Sequence, residues 1–125
     1  MSRFGRLLES PKFWPAALAG YWLLLLIATH LPPDFPAVPP ERVDKIVHAA
    51  VFAALAWLLA TAWQRSVGRL GGGHLRAAWL AIVLYAAADE WTQTWVGRVG
   101  SLGDWLADAI GAAAGLIVFA RLQSS

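Results

Sequence analysis

Four stretches of about 20 mostly apolar residues, each long enough to cross a bilayer as a helix, decide what this chain can fold into. They run over residues 13–31, 43–63, 75–95 and 102–122. Breakers separate them: Pro32, Pro33, Pro36, Pro39 and Pro40, then Gly71, Gly72 and Gly73, then Gly97 and Gly100. In lipid a backbone must satisfy its own hydrogen bonds, so such stretches become helices. Pro15 falls in a first turn, where its missing N–H costs nothing. The expected fold is therefore all-α: one integral membrane domain over residues 1–125, with four transmembrane helices in an up-down bundle. Charged residues make up 14% of the chain, against about 25% in soluble domains, which agrees with burial in lipid. The first stretch is longer than the 7–15 apolar residues typical of a signal peptide, and no small-residue cleavage site precedes the prolines. It reads as an anchor.

Lysine and arginine set the orientation. Arg3, Arg6, Lys12, Arg65, Arg69, Arg76 and Arg121 fall on one side; Arg42, Lys45 and Arg98 fall on the other. The positive-inside rule then places both termini in the cytoplasm. Trp14, Trp63 and Trp79 come out near the inner interface, and Trp91, Trp95 and Trp105 near the outer one. This spread of positive charge over short loops accounts for the pI of about 9.5 without a nucleic-acid partner. No Walker loop or dinucleotide fingerprint is present. The absence of cysteine excludes disulfides, thiolate chemistry and Cys-ligated zinc.

The outer end is acidic. Asp34, Glu41, Asp44, Asp89, Glu90, Asp104 and Asp108 all fall there, leaving only Glu9 inside. Ser101, Asp104, Asp108, Gly111 and Gly115 are spaced 3, 4, 3 and 4 apart, so they form one stripe on the last helix. Asp108 lies about 6 Å deeper than Asp104. The two glycines allow a neighbouring backbone to approach that stripe closely. Asp44 and His48 share a face of the second helix, and Glu90 and Gln93 share a face of the third. Asp89 points about 100° away from Glu90. Polar faces at one depth should converge, because lipid cannot satisfy them. His30, at the end of the first stretch, lies close enough in depth to join.

Taken in order, Asp44-Lys45-x-x-His48, Glu90-x-x-Gln93, Gly97-Arg98-x-x-Ser101-x-x-Asp104-x-x-Ala107 and the glycines at 111 and 115 resemble the VanZ-like family. The resemblance covers roughly residues 40–118. It implies a small multi-pass protein of the bacterial cytoplasmic membrane and cell envelope, in a family with one member linked to teicoplanin resistance. Where that family usually carries Asn after the alanine, this chain carries Asp108.

Three functional classes use the same residues. In the first, an acidic extracytoplasmic pocket binds an envelope lipid headgroup or a cationic, glycopeptide-type ligand through Lys45, Gln93, Arg98, Ser101, Asp104 and Asp108. The second is an intramembrane enzyme acting on a phospholipid or polyprenyl substrate. In it His48 is the general base oriented by Asp44, Glu90 is the acid and Arg98 holds phosphate. The third is a divalent metal site drawn from His48, Glu90, Asp104 and Asp108. A purely structural alternative pairs Arg98 with Glu90 or Asp104, and Lys45 with Asp44 or Glu90. The excess of acids over cations speaks for a site, since intramembrane ionisable residues are functional by default. Self-association remains open to a bundle of this size.

Overall fold

The computed structural model describes residues 2–31 and 41–124, the side chains of residues 41 and 42 excepted. The predicted proline linker with Asp34 lies outside the described residues, as do the side chains of Glu41 and Arg42. All regular structure among the described residues is helical: α1 (Arg3–Glu9), α2 (Phe13–Thr29), α3 (Glu41–Val67), α4 (Gly72–Gln93), a 3-10 turn (Thr94–Val96) and α5 (Leu102–Ser124). Helices α2 to α5 coincide with the four apolar stretches.

Helix α1 lies outside those stretches, which give no sign of it. Ser2 Oγ accepts from Gly5 N at 3.0 Å and caps it. Pro11 follows its end. Trp14 Nε1 donates to Leu8 O at 3.0 Å, fixing α1 at 82° to α2. The break between α3 and α4 also comes earlier than expected. It sits at Gly68, whose φ of 87° is left-handed and suits glycine. Gly72 and Gly73 instead form the first turn of α4. His74 Nδ1 accepts from Gly71 N at 3.1 Å and caps that turn, so this histidine has a structural task.

The neighbours alternate in direction. Tyr21 of α2 hydrogen-bonds the Val51 carbonyl of α3, and Trp14 meets Trp57 edge-on. Trp79 Nε1 of α4 donates to Ala109 O of α5 at 2.9 Å, and Trp105 Nε1 returns to Val83 O at 3.1 Å. Trp79 and Trp105 thus fasten two antiparallel helices together. Helices α3 and α5 run parallel and pack closest. A Cβ on Gly111 would collide with the Ala49 backbone, and one on Gly115 with Ala53. The glycine stripe therefore faces α3. Phe52, Leu55, Ala56, Ile82, Ala86, Ala112 and Leu116 fill the core. Leu24, Ile46, Leu84 and Ile110 point outward, as a lipid-facing surface requires.

Helices α3 and α5 are long and apolar enough to cross a membrane, and the bent pair α1–α2 makes a third candidate. Helix α4 falls short of that apolarity because it carries Arg76, Asp89 and Glu90. Its acids face protein: Asp89 is 2% exposed and Glu90 7%.

Candidate functional site

The parallel packing of α3 on α5 builds the polar centre. With Gly111 seated on Ala49, the preceding turns of both helices face each other. His48 Nδ1 then lies 2.8 Å from Asp108 Oδ1, a hydrogen-bond contact. On its other nitrogen, His48 Nε2 lies 3.8 Å from Asp44 Oδ1 and 4.0 Å from Asp104 Oδ2. Lys45 Nζ donates to Asp104 Oδ1 at 3.2 Å. Gly103 makes room for it, since a Cβ there would sit 3.1 Å from that nitrogen.

Glu90 approaches the centre from α4. Gly100 passes so close that a Cβ would lie 3.1 Å from the Glu90 carbonyl oxygen, which brings the following loop onto the helix end. Ser101 N then donates to Glu90 Oε2 at 3.0 Å. Ser101 Oγ accepts from Asp104 N at 3.2 Å, so it caps α5. Among the described residues, two carboxylate oxygens, Glu90 Oε1 and Asp108 Oδ2, are buried without a hydrogen-bond partner. His48, Glu90 and Asp108 can each present a donor atom within 4.8 Å of the others, as can Asp44, His48 and Asp104. Three of the four expected metal candidates thus fall in one group, while Asp104 falls with His48 and Asp44, which was not among the four.

Asp89 belongs to a separate network. It accepts from Thr29 Oγ1 at 2.9 Å and Gln93 Nε2 at 3.0 Å, with the Tyr85 hydroxyl at 3.5 Å. His30 stands 3.7 Å from Asp89, and its Nε2 lies 2.8 Å from Thr92 Oγ1. These contacts tie the end of α2 to the end of α4. Thr29, Tyr85 and Thr92 were not foreseen; the signal available was Tyr85 four residues before Asp89, on one helix face.

Several expected pairings differ. Asp108, not Asp44, makes the hydrogen-bond contact to His48, because helix packing places it opposite while Asp44 lies along the same helix. Gln93 turns its amide to Asp89 rather than sharing a task with Glu90. Arg98 pairs with neither Glu90 nor Asp104; its Nη1 donates to Leu31 O at 3.0 Å, across the ends of α2 and α4. Lys45 bonds Asp104 instead of Asp44 or Glu90.

A groove of about 290 Å³ opens beside the centre, between α2 and α3. Leu25, Ala28, Val47, Val51 and Phe52 form its apolar wall. Thr29, Asp44, His48, Gln93 and Arg98 form its polar head.

The residues gathered at that head and centre are the ones that carry the family resemblance, and the model of the VanZ/LLP1 family matches residues 10–123. The chain belongs to the VanZ/LLP1 family. The match takes in all of α2 to α4 and nearly all of α5, and leaves out α1. No curated protein and no solved structure matches the chain. Within this VanZ/LLP1 chain, Asp44, Lys45, His48, Glu90, Ser101 and Asp104 from the ordered motifs meet at one end of the bundle. Gln93 and Arg98 border them.

Proposed function

We propose that this VanZ/LLP1 protein is a single four-span domain of the bacterial cytoplasmic membrane that binds an envelope lipid and thereby lowers susceptibility to teicoplanin-type glycopeptides. The groove between α2 and α3 carries the reading. An apolar wall leading to a charged head has the polarity of one lipid: acyl chain against Val47 and Phe52, headgroup at Arg98 and His48. A guanidinium suits phosphate, because its planar fork can donate two parallel hydrogen bonds. One Arg98 nitrogen is held by Leu31 O, which orients the group toward the groove head.

The fourth span is α4. At about 1.5 Å per residue its 22 residues reach about 33 Å, enough for a hydrocarbon core. Its buried acids cost little against lipid, since they face other helices. Arg65 over the Trp14 ring at 5.8 Å, at one end of the bundle, and exposed Trp91 and Trp95, at the other, support the reading of the first end as inner and the second as outer.

Two measurements test this reading. Lipid co-purified in mild detergent should include a phospholipid or polyprenyl phosphate, and Arg98→Gln should reduce its retention roughly tenfold, as loss of a charge-assisted hydrogen bond predicts. Equal retention in the variant contradicts a phosphate contact at Arg98. For topology, the chain has no native cysteine, so Gly72→Cys gives a single label site. It should react with a membrane-impermeant maleimide only after cells are opened. Labelling in intact cells would reverse the orientation.

A second reading rests on the 2.8 Å His48–Asp108 contact. A histidine oriented by a carboxylate, with Glu90 close by, is the apparatus of acid–base catalysis on a bound lipid. Turnover of that co-purified lipid, lost in His48→Gln, would favour the enzyme over the binding protein.

A further inference from the structure

Buried carboxylate oxygens normally find donors, and those that do not call for a specific account. Asp89 illustrates the usual state, with both oxygens hydrogen-bonded. Its neighbour Glu90 does not follow it. Oε2 is satisfied by Ser101 N, but Oε1 is orphaned, and so is Oδ2 of Asp108. Asp108 is fully buried and Glu90 is 7% exposed. These two carboxylates group with His48, each of the three residues offering one donor atom within 4.8 Å of the others.

We propose that His48, Glu90 and Asp108 bind one divalent first-row metal ion of the zinc or manganese class. One imidazole and two carboxylates are a donor set that these ions accept. The charges balance: two carboxylates and a neutral imidazole around a dication leave no net charge at the three donors. A protonated His48 alone would leave one negative charge uncompensated. Metal–donor bonds of about 2.0–2.2 Å place the donors about 3.3–4.3 Å apart. Donor atoms of the three residues already lie within 4.8 Å of one another, so small side-chain adjustments bring them to that spacing.

The outer group of Asp44, His48 and Asp104 is a poorer site. Lys45 already occupies an oxygen of Asp104, and neither Asp44 nor Asp104 has an orphaned buried oxygen. Its partly exposed acids instead form a negative approach that draws a cation inward toward His48. The metal site shares His48 with the groove, and Asp108 hydrogen-bonds that histidine, so metal uptake and not lipid retention is what tests it.

The test uses the full chain in detergent, stripped with chelator and then offered Zn²⁺ alone or Mn²⁺ alone. One ion per chain is expected by elemental analysis. Glu90→Gln and Asp108→Asn should each weaken uptake by roughly 10–100-fold or more, since loss of even a supporting ligand has that effect. Asp89→Asn, one residue along α4, should retain it. No stoichiometric uptake of either ion by the wild type overturns the site. Undiminished uptake in Glu90→Gln and Asp108→Asn overturns it as well. Should those variants fail to accumulate, Mn²⁺ on ¹⁵N-histidine wild type decides. Pulsed EPR should show coupling to one imidazole nitrogen, and its absence rejects the site. Arg98→Gln provides the separation from lipid binding: loss of lipid with metal retained fails neither claim, whereas failure of the wild type to take up metal leaves the lipid result standing.

Discussion

Gly111→Leu is expected to abolish accumulation of folded protein in the membrane. Gly111 sits mid-helix, so its role is close approach and not an unusual backbone angle. A Cβ there would run into the carbonyl and Cα of Ala49, which are backbone atoms that cannot rotate away. Overpacking a core with added methylenes costs about 1–3 kcal/mol even where side chains can shift. Here a whole isobutyl group must push apart the helix pair that holds the bundle together, against a total stability of about 5–15 kcal/mol. The same separation would pull Asp108 from His48, so any surviving protein should have lost the centre too. Gly115→Leu should behave alike against Ala53. Membrane abundance and a detergent melting curve followed by tryptophan fluorescence report the result. Wild-type abundance and melting would show that α3 and α5 do not pack on this stripe.

What is legible in the chain is whatever helical periodicity dictates. The stripe from Ser101 to Gly115 follows from 3.6 residues per turn, and so does the divergence of Asp89 from Glu90. Both appear in the fold. Periodicity gives a face, however, and not its partner. That α3 would receive the stripe has a signal in Ala49 and Ala53, small residues four apart, but many alanines in this chain share that spacing. Charge sign is a weaker guide. Arg98 has acids of suitable depth on two helices, yet it bonds a carbonyl, because a loop arginine is placed by the chain around it and carbonyls at a helix end need donors. Asp44 is the natural partner for His48 by i, i+4 spacing, while Asp108 wins through a contact 60 residues away. Helix ends are blurred for a local reason: three consecutive glycines look like a break, but the left-handed turn falls on Gly68 and His74 caps the next helix. Helix α1 is hidden because its seven residues mix polar and apolar types and carry no span signal.

The larger effect on function should come from His48 and Asp108. They are the touching pair of the centre, and two opposite expectations attach to them. If the pair only holds helices together, removing one partner leaves the other buried and unsatisfied, at a cost of about 3–5 kcal/mol. Abundance then falls in each single variant, and a double replacement by apolar residues restores it. If the centre is a site, conservative changes leave the bundle standing and remove what it binds. Asp108→Asn keeps the shape and an acceptor oxygen for His48, and His48→Gln keeps a polar amide in place of the ring.

The decisive measurement scores His48→Gln, Asp108→Asn, their double variant and the apolar double His48→Leu/Asp108→Leu side by side for membrane abundance, co-purified lipid and teicoplanin tolerance in a host that depends on this chain. The account predicts near-normal abundance in His48→Gln, Asp108→Asn and their double, with lipid and tolerance lost in each single variant and no recovery in either double. Abundance lost in both single variants and regained in His48→Leu/Asp108→Leu, with lipid retention tracking abundance alone, would contradict it and leave a polar pair whose only task is to join α3 to α5.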